Sequence, residues 1–524
     1  YIIMTETSLI GFSRGEQTSS TFRAVDPKTG SELGTEYSHS SEGDLQRSCE
    51  LAQLASLPMA SLSGQKKAGF LRLLADRLDG AVDSIVEVMT VETGLPEARV
   101  RGETGRTSGQ LRMFADLLVD GSWVDARIDR AVPDRLPLPK PDLRAMLRPI
   151  GPVAVFCASN FPLAFSVAGG DTASAWAAGC PVIVKAHHAH PGTALIVGKL
   201  IVQSQKESGL PEGAFSLLFG EGRTVGQALV THSVIKAVGF TGSRSGGRAL
   251  FDLASQRKEP IPVFAEMSSI NPLFLLPELK SDEMENIADG LYASATLGGG
   301  QFCTNPGIVF YPNNGDGKKF RDSYVEKMKD YTPVAMLHQG IRESYAQGIE
   351  EMVKQQGVEV LVLSDLSEDG NGGCDASSCV LNTNIECFLK NPQLTTEVFG
   401  PTTLLVSYED KEDLLRVARE MEGQLTASFF GHKEMLPQHE NLLDLMETRA
   451  GRLLFNQFPT GVEVCESIVH GGPYPATTDS RSTSVGTGAI LRFARPVCYQ
   501  GFPDEFLPEE LKEENPGGIK RKEG

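Results

Sequence analysis

The chain has 524 residues, of which 40% are hydrophobic and 22% charged, a composition typical of a globular protein with two or three domains. Its net charge of −18, from 49 basic and 67 acidic residues, argues against nucleic acid or an anionic membrane as the main partner. No apolar run reaches the ~18 residues that would span a bilayer.

The first quarter of the chain is predicted to be mainly helical. From about Asp44 to Asp116, apolar residues recur at three- and four-residue spacing. The segment that follows, "VPDRLPLPKPDLRAMLRPIGPV", is rich in proline. We therefore expect an extended arm or connection there.

Short apolar strands then alternate with helices. Strand-and-turn segments occur in "GPVAVFCASNFP", "CPVIVKAHHAHPGT", "AFSLLFGEGRTVG" and "IKAVGFTGS", and "LAFSVAGGDTASAWAAG" and "ALIVGKLIVQSQKESG" read as helices. This alternation predicts βαβ units and a parallel sheet with helices on both faces. A second α/β block is predicted from about Glu266 to Phe455, and one more strand near Ile490–Pro496.

The cysteines carry a prediction about compartment and metal binding. Nine cysteines at low density, without a basic start and long apolar core at the N-terminus, predict a cytoplasmic protein. Cys374 and Cys379 form C-x4-C, but no second pair follows at zinc-like spacing. We therefore expect no metal site.

Polar residues follow several of the predicted strands. Asn160, Lys185, Gly242 and Ser243 stand at strand ends, and ligands of parallel sheets bind at that edge. The helix that opens at Ser243 offers backbone amides to a pyrophosphate. No G-x-G-x-x-G is present, so the phosphates of a dinucleotide would have to be bound by a different motif. Taken singly, an asparagine after a strand is usually a helix cap, and a lysine after a strand is usually solvated.

Three further residues stand in unusual settings. Cys303 lies in "GGGQFCTNPG", among glycines that let other groups approach the backbone. Glu266 ends a strand in "PVFAEMSSINP", where a carboxylate could act as a general base, and Glu397 lies in "TTEVFGP".

The ordered set "SNFP", "VIVK", "FTGS", the lone Glu266, "GQFCT" and "EVFGP" resembles the aldehyde dehydrogenase superfamily, from about Asp26 to Phe502. The resemblance implies an α/β fold with a Rossmann-like cofactor domain, an α/β catalytic domain and a small β oligomerisation arm. Residues 1–132 and 150–265 would form the dinucleotide-binding domain and residues 266–470 the catalytic domain. Residues 133–149 and 471–524 would form the arm and tail, and the protein would be a homodimer or homotetramer.

By resemblance, Cys303 is the nucleophile, Asn160 binds the oxyanion and Glu266 is the base. Lys185 would bind the adenosine ribose, Gly242 and Ser243 the pyrophosphate, Glu397 the nicotinamide ribose and Phe399 the nicotinamide ring. His470, in "SIVHGGPYP", is either a proton acceptor close to Cys303 or Glu266, or a histidine satisfied at a loop bend. The family usually has Gly-Gly where this chain has Ser268 and Ser269.

The cofactor is expected to be NADP, with NAD possible. NAD-preferring members usually carry a glutamate where this chain has His188, and a histidine would not repel a 2′-phosphate. Arg223, in the turn "GEGR", could contact that phosphate or be a solvated turn residue.

The segments "FPLAFSVAGGDTASAWAAGCPVIVKAHHAHPGT" and "HGGPYPAT" resemble a narrower branch of the family. That branch contains α-ketoglutarate semialdehyde dehydrogenases and an NADP-dependent fatty aldehyde dehydrogenase. The expected reaction is oxidation of α-ketoglutarate semialdehyde to α-ketoglutarate through a cysteine thioester. A long-chain or other aliphatic aldehyde is the alternative substrate, and a non-redox relative or binding protein is the alternative class.

The resemblance to the aldehyde dehydrogenase superfamily also implies that four residues line the substrate tunnel. Arg106 and Gln110 share a helix face at i, i+4 spacing, and Phe161 and Phe302 flank Asn160 and Cys303. An arginine in an apolar tunnel is costly unless it meets an anion, so Arg106 is expected to bind a terminal carboxylate. The alternative is that Arg106 pairs with Glu103 or Glu97 on its own helix.

Overall fold

A computed structural model describes residues 5–363 and 373–524 of the chain. None of the helices in these residues is both long and apolar enough to cross a membrane. The α-helices are Glu42–Ala60, Gly64–Gly80, Val82–Thr93, Glu97–Asp120, Gly170–Ala178, Pro191–Ser208, Gln227–Thr231, Arg244–Ser255, Ser281–Thr296, Gly315–Lys329, Gln339–Val353, Ile385–Lys390, Lys411–Glu420 and Glu440–Glu447.

The first half of the chain builds a seven-stranded sheet, which we call the first sheet. Its strands, in spatial order, are Val263–Glu266, Ala237–Thr241, Val153–Phe156, Val182–Lys185, Phe215–Leu218, Leu9–Ile10 and Ser13–Arg14. The first five run parallel to one another, and the two short N-terminal strands are antiparallel. The central strands are almost wholly buried, because helices cover both faces of the sheet.

One face of the first sheet is covered by the predicted N-terminal helices. The helix Glu97–Asp120 turns Val100, Leu111 and Phe114 into the core and stops at Gly121, whose φ of 71° ends it. The predicted helical region therefore occurs where the periodicity indicated it, and it presents residues 99–110 to the sheet's carboxyl edge.

The second half of the chain builds another seven-stranded sheet, the second sheet. Its strands, in spatial order, are Glu359–Leu363, Cys379–Asn384, Thr402–Tyr408, Ile308–Pro312, Leu273–Leu275, Gln424–Phe430 and Ala450–Phe455. All of them are parallel except the edge strand Glu359–Leu363. The predicted α/β fold is confirmed.

Three smaller sheets complete the described part of the chain. Their strands are Ala494–Gln500, Leu143–Pro149, Arg127–Asp129 and Lys522–Glu523; then Thr5–Glu6, Glu32–Ser38 and Thr21–Val25; then Val334–Ala335 and Asp375–Ala376. In the first of these, Leu143 pairs with Gln500 and Pro149 with Ala494, so the proline-rich segment and the late strand join in one antiparallel ladder. The division of the chain into domains stays a prediction.

Two segments differ from the pattern read from the sequence. The helix expected directly after Asn160 begins only at Gly170, because residues 157–169 form a chain of turns that runs around the carboxyl edge. Residues after His470 return to the first sheet: Glu266 bridges Thr477, and the backbone N–H of Met267 donates to the carbonyl of Ala476 at 2.8 Å. This return brings distant parts of the sequence to Glu266.

Candidate active site

The loop before Cys303 requires glycine. Gly298, Gly299 and Gly300 have φ values of 57°, 66° and 68°, a left-handed run that other residues rarely adopt. A Cβ on Gly300 would lie 2.3 Å from the backbone of Gly400, so the loop also packs directly against the "FGP" segment. The glycines therefore fix the path of the chain into residues 301–305, which we call the nucleophile loop because Cys303 is the predicted nucleophile.

Asn271 holds the backbone on the other side of Cys303. Its Nδ2 atom donates to the carbonyls of Cys303 and Asn305, each at 2.9 Å, and its Oδ1 accepts from Ser269 and Thr426. Asn271 has a φ of 46°, and its buried side chain has several hydrogen bonds to hold it there. The thiol is thus carried on a rigid backbone.

Cys303, His470 and Glu266 form a continuous chain of polar atoms. The Nε2 atom of His470 lies 3.3 Å from the Cys303 Sγ and 3.0 Å from the Glu266 Oε1. His470 and Glu266 are buried, whereas Cys303 is partly exposed. The imidazole is therefore placed to exchange a proton with either neighbour.

Burial and charge set the protonation of this group in opposite directions. Withdrawal from water raises the pKa of the Cys303 thiol well above its usual value, and the Glu266 carboxylate adds to the rise. Burial also works to raise the pKa of Glu266, but His470, Ser484 and Cys303 outweigh it and hold the pKa below its usual value. Glu266 is therefore a carboxylate and Cys303 a thiol at neutral pH.

Ser484 positions Glu266 and the backbone of His470. Its hydroxyl donates to Glu266 Oε2 at 3.0 Å, and its backbone N–H donates to the carbonyl of His470 at 2.9 Å. The backbone N–H of His470 in turn donates to Thr483 at 2.9 Å. The sequence analysis missed Ser484, and no local signal in "RSTSVGTG" marks it.

Asn160 lies beside the nucleophile loop. Its Nδ2 atom donates to the carbonyl of Gln301 at 3.3 Å, two residues before Cys303. Among the described residues, the backbone N–H of Cys303 makes no hydrogen bond. The Asn160 side-chain amide thus lies close to the loop that carries Cys303.

The carboxyl edge of the first sheet carries the residues predicted to bind a dinucleotide. Lys185 ends its strand and is buried, and withdrawal from water lowers the pKa of its amine. Its amine has no ion-pair partner within the ranges that the structure covers. Ser243 caps the helix Arg244–Ser255 by accepting from the Gly246 N–H at 3.2 Å, directly after Gly242. This edge offers a buried cation and a helix N-terminus to an anionic ligand.

Glu397 faces the same cleft from the second sheet. Burial raises the pKa of its carboxyl to about 7, and the Glu266 carboxylate adds to that rise. Its Oε2 atom accepts from the Ser268 hydroxyl at 2.7 Å, and Phe399 lines a cavity with it. One of the two serines that replace the usual glycines thus orients the Glu397 side chain.

His188 and Arg223 are both exposed, and neither makes an ion pair among the described residues. A third residue near them was missed. The Glu221 carboxylate, in the same "GEGR" turn, is close enough to Lys185 to oppose the lowering of the amine pKa by burial. A carboxylate therefore does stand near the predicted ribose site, although it does not come from the position of His188.

Two aromatic rings and an arginine pack together beside Asn160 and Cys303. The Phe161 and Phe302 rings meet edge to face with centroids 5.4 Å apart. The Arg99 guanidinium lies 4.5 Å from the Phe161 ring and 4.7 Å from the Phe302 ring. Arg99 also pairs with the buried Glu103 at 3.5 Å. Arg99 lies seven residues before Arg106 on the same helix face, and this spacing was the signal for Arg99 in the sequence.

Arg106 contacts the loop that contains Val462. Its Nη1 atom donates to the carbonyl of Val462 at 2.5 Å, and its buried Nε atom has no partner among the described residues. Burial lowers the pKa of Arg106, and the nearby Glu103 and Cys303 oppose that shift. Gln110 lies elsewhere, against Gly170, at the start of the helix Gly170–Ala178.

Arg452 is a second arginine near Cys303 that the sequence analysis missed. Its guanidinium donates to the carbonyls of Gly461 and Pro459, at 3.1 and 2.7 Å. Its Nε atom is buried and unpartnered, and no carboxylate within the described ranges pairs with it. Burial lowers its pKa, and Cys303 is the group that opposes this. An arginine inside the apolar strand "AGRLLF" was the available signal.

Comparisons with known proteins place these observations in a family. The sequence profile described as "Aldehyde dehydrogenase family" matches residues 14–473. The chain is 46% identical over 519 residues to "Alpha-ketoglutaric semialdehyde dehydrogenase 2" of Azospirillum brasilense, covering 99% of this chain and 98% of that protein. It is 44% identical over 486 residues to "Alpha-ketoglutaric semialdehyde dehydrogenase" of Acinetobacter baylyi, covering 93% and 91%.

Solved structures agree in fold. Betaine aldehyde dehydrogenase from Staphylococcus aureus, in complex with NAD+, has a TM-score of 0.80 at 18% identity, covering 95% of each chain. 3,6-Anhydro-L-galactose dehydrogenase, in complex with NADP, has a TM-score of 0.80 at 20% identity, covering 95% of this chain and all of that one. The profile match and the two relatives of nearly equal length show that this chain belongs to the aldehyde dehydrogenase family.

Proposed function

We propose that this aldehyde dehydrogenase oxidises α-ketoglutaric semialdehyde to α-ketoglutarate with a nicotinamide cofactor. The observation that carries the proposal is the chain Cys303–His470–Glu266, with contacts of 3.3 and 3.0 Å. A thiol, an imidazole and a carboxylate in this order supply a nucleophile, a proton acceptor and a base for a water molecule.

His470 activates Cys303 in this proposal. The thiol pKa is raised, so the thiol needs a proton acceptor within reach, and the His470 Nε2 atom lies at that distance. The sulfur attacks the aldehyde carbon, and the resulting oxyanion is stabilised by the Asn160 amide and the Cys303 backbone N–H. Removal of one such donor typically raises a barrier by about 3–4 kcal/mol.

Glu266 acts in the second half of the reaction. The thioester on Cys303 must be hydrolysed, and a low pKa keeps Glu266 ionised and able to take a proton from water. Ser484 and His470 hold its two oxygens in place. The products are the carboxylic acid and the free thiol.

The residues at the sheet edges fit a nicotinamide dinucleotide. The buried Lys185 amine is free to bind ribose, the Ser243 helix offers amides to the pyrophosphate, and Glu397 is oriented to accept from ribose hydroxyls. When bound, the cofactor supplies the acceptor for a hydride from the aldehyde carbon. Two solved family members are described with NAD+ and NADP, respectively.

We propose that NADP is used at least as well as NAD. His188 and Arg223 support this because neither repels a 2′-phosphate, and Arg223 can donate to it. Glu221 opposes it, since its carboxylate lies near Lys185. The balance between these residues decides the preference.

The substrate assignment rests on the tunnel and on the names of the relatives. Two relatives of 44% and 46% identity are α-ketoglutaric semialdehyde dehydrogenases. The tunnel wall combines Phe161 and Phe302 with Arg106 and Arg452, both of which interact electrostatically with Cys303. A short chain with an aldehyde at one end and a carboxylate at the other matches this arrangement.

The test is a comparison of kcat/KM for α-ketoglutaric semialdehyde, pentanal and decanal, each with NAD and NADP. The proposal requires the charged aldehyde to be preferred over pentanal by at least tenfold. Preference for decanal would favour the long-chain alternative. No cofactor reduction with any aldehyde, together with thioester hydrolysis, would favour the non-redox class.

We further propose a cytoplasmic homodimer or homotetramer. The nine cysteines are all free, which fits a reducing compartment. Leu136 and Leu138 of the arm are 88% and 69% exposed and would be covered in an oligomer. Sedimentation of the Leu136→Asp, Leu138→Asp double variant tests the oligomer, because loss of these contacts should give smaller particles. A variant with the same oligomer size as the wild type would show that the arm is not part of the interface.

A further inference from the structure

The three groups at the centre of the site also form a ligand set for a transition metal. Within the described residues, Glu266, Cys303 and His470 are the cluster whose donor atoms all lie within 4.8 Å of one another. Thiolate, imidazole and carboxylate are the three side-chain ligands that Zn²⁺ uses.

The distances between these donors are close to the edges of a zinc tetrahedron. Zinc–sulfur bonds of ~2.3 Å and zinc–nitrogen bonds of ~2.0–2.1 Å place neighbouring donors about 3.3–3.6 Å apart. The observed separations are 3.3 Å from Cys303 Sγ to His470 Nε2 and 3.0 Å from His470 Nε2 to Glu266 Oε1. Movements of a few tenths of an ångström would suffice for a metal to enter between them.

The charges favour a cation at this point. An ionised Cys303 would stand next to the Glu266 carboxylate, since the donor atoms of Cys303, Glu266 and His470 all lie within 4.8 Å of one another. A divalent cation would neutralise both. Its binding would release the thiol proton to solvent and would leave a fourth position for water.

We propose that Glu266, Cys303 and His470 bind Zn²⁺ reversibly, and that the bound ion switches the enzyme off. The metal would hold the sulfur that must attack the aldehyde and the carboxylate that must activate water. The ion is an inhibitory ligand and has no part in the reaction.

Other histidines and cysteines are arranged less well for a metal. The His187 and His188 rings stack with centroids 4.5 Å apart and an interplanar angle of 29°, which keeps their nitrogens from converging on one point. The Cys374 sulfur donates to Gln339 at 3.5 Å, and Cys379 is fully buried. Zinc binding at one of these other groups is the competing outcome that the experiment must distinguish.

The experiment uses the full chain without cofactor and measures binding as well as activity. Zn²⁺ is titrated by calorimetry, and Co²⁺ is titrated by absorbance, because a thiolate ligand to cobalt gives a charge-transfer band that histidine alone does not. Alkylation of Cys303 by iodoacetamide, read from its peptide by mass spectrometry, is followed with and without Zn²⁺. The site variants are Cys303→Ser and His470→Gln. The matched controls are Cys387→Ser, whose thiol donates to the carbonyl of Gln356, and His338→Gln, whose ring packs against those of His187 and His188.

The wild type should bind one Zn²⁺, show the cobalt–thiolate band and resist alkylation at Cys303 until a chelator is added. Cys303→Ser should lose the band, and both site variants should bind Zn²⁺ about a hundredfold more weakly or worse. The controls should bind as the wild type does. Undiminished zinc affinity in Cys303→Ser, or loss of binding in His338→Gln alone, would overturn the proposal. Because binding is measured without substrate, these outcomes do not depend on the aldehyde assignment.

Discussion

Ser484 donates its hydroxyl proton to Glu266 Oε2 at 3.0 Å, while His470 contacts Oε1 of the same carboxylate at 3.0 Å. The two residues approach from a segment that lies more than 200 positions further along the chain, and together they fix the plane of the carboxylate. The orientation of the proposed base is therefore set by the returning segment rather than by its own strand.

Ser484→Ala is expected to move the acid limb of the kcat profile to higher pH. The hydroxyl lowers the pKa of Glu266, so its removal raises that pKa, and the carboxylate becomes protonated at a higher pH. The charge-assisted hydrogen bond from Ser484 to Glu266 that this variant loses contributes about 1.5–3 kcal/mol to the stability of the carboxylate. The control is Ser482→Ala, since the Ser482 hydroxyl donates to the carbonyl of Asp479. An unchanged profile in Ser484→Ala would show that this bond does not tune the base.

Glu266→Gln is expected to slow deacylation more than the first half of the reaction. Mixing enzyme with aldehyde and cofactor should then give a burst of reduced cofactor followed by a slow steady state. A burst reduced in proportion to the steady state would mean that Glu266 acts earlier.

The same variant should make Cys303 more acidic. The Glu266 carboxylate contributes to the raised thiol pKa, so its loss should shift the pH profile of Cys303 alkylation to lower pH. The rate is read from the Cys303 peptide, since the chain has eight other cysteines. A shift to higher pH would contradict the electrostatic explanation.

His470→Gln should lower the burst rate about a hundredfold or more, which is the usual contribution of a positioned proton acceptor. The effect should shrink as the pH approaches the thiol pKa, because hydroxide then removes the proton. A variant that keeps the wild-type burst rate at neutral pH would support the alternative of a structurally satisfied histidine.

Arg452→Met and Arg106→Met are expected to separate the roles of the two arginines. The one that binds the substrate carboxylate should lose about 1.5–3 kcal/mol, or roughly ten- to a hundredfold in kcat/KM, for α-ketoglutaric semialdehyde alone. The one that only holds the loop at Val462 or Gly461 should lose equally for pentanal. Arg72→Met, a surface arginine paired with Asp116, is the control. Equal losses of kcat/KM for both aldehydes in both variants would show that neither arginine binds the substrate carboxylate.

Glu221→Gln and Arg223→Ala should shift cofactor preference in opposite directions. Removing the carboxylate near Lys185 should raise the NADP-to-NAD ratio of kcat/KM several-fold, and removing the arginine should lower it. Glu259→Gln, whose carboxylate pairs with Lys236 elsewhere, should leave the ratio unchanged. If neither variant changes the ratio, the turn does not reach the 2′-position.

The sequence predicted much of this arrangement because several of its signals are local. Strand ends follow from runs of apolar residues, so Lys185, Ser243 and Glu266 occur where the pattern indicated. The glycines before Cys303 are likewise visible in the sequence, and their positive φ values are a property of three consecutive residues.

What the sequence could not predict depends on contacts between distant segments. Arg452 stands out in its apolar strand, but the sequence does not show that it lies near Cys303, and Ser484 becomes important only when its loop meets Glu266. Glu221 was passed over for Arg223 in the same turn, since only the pairing of strands shows that its carboxylate lies near Lys185.

The sequence by itself thus indicated the α/β fold, the family and the candidate groups of the site. The tertiary structure decided which of these groups share a proton, which arginines face the thiol and which pKa values are raised or lowered. The physical reason is that apolar periodicity and turn chemistry act over a few neighbouring residues. The charge and burial of Cys303, by contrast, depend on atoms that the fold brings in from more than 100 positions away, such as the Nε2 atom of His470.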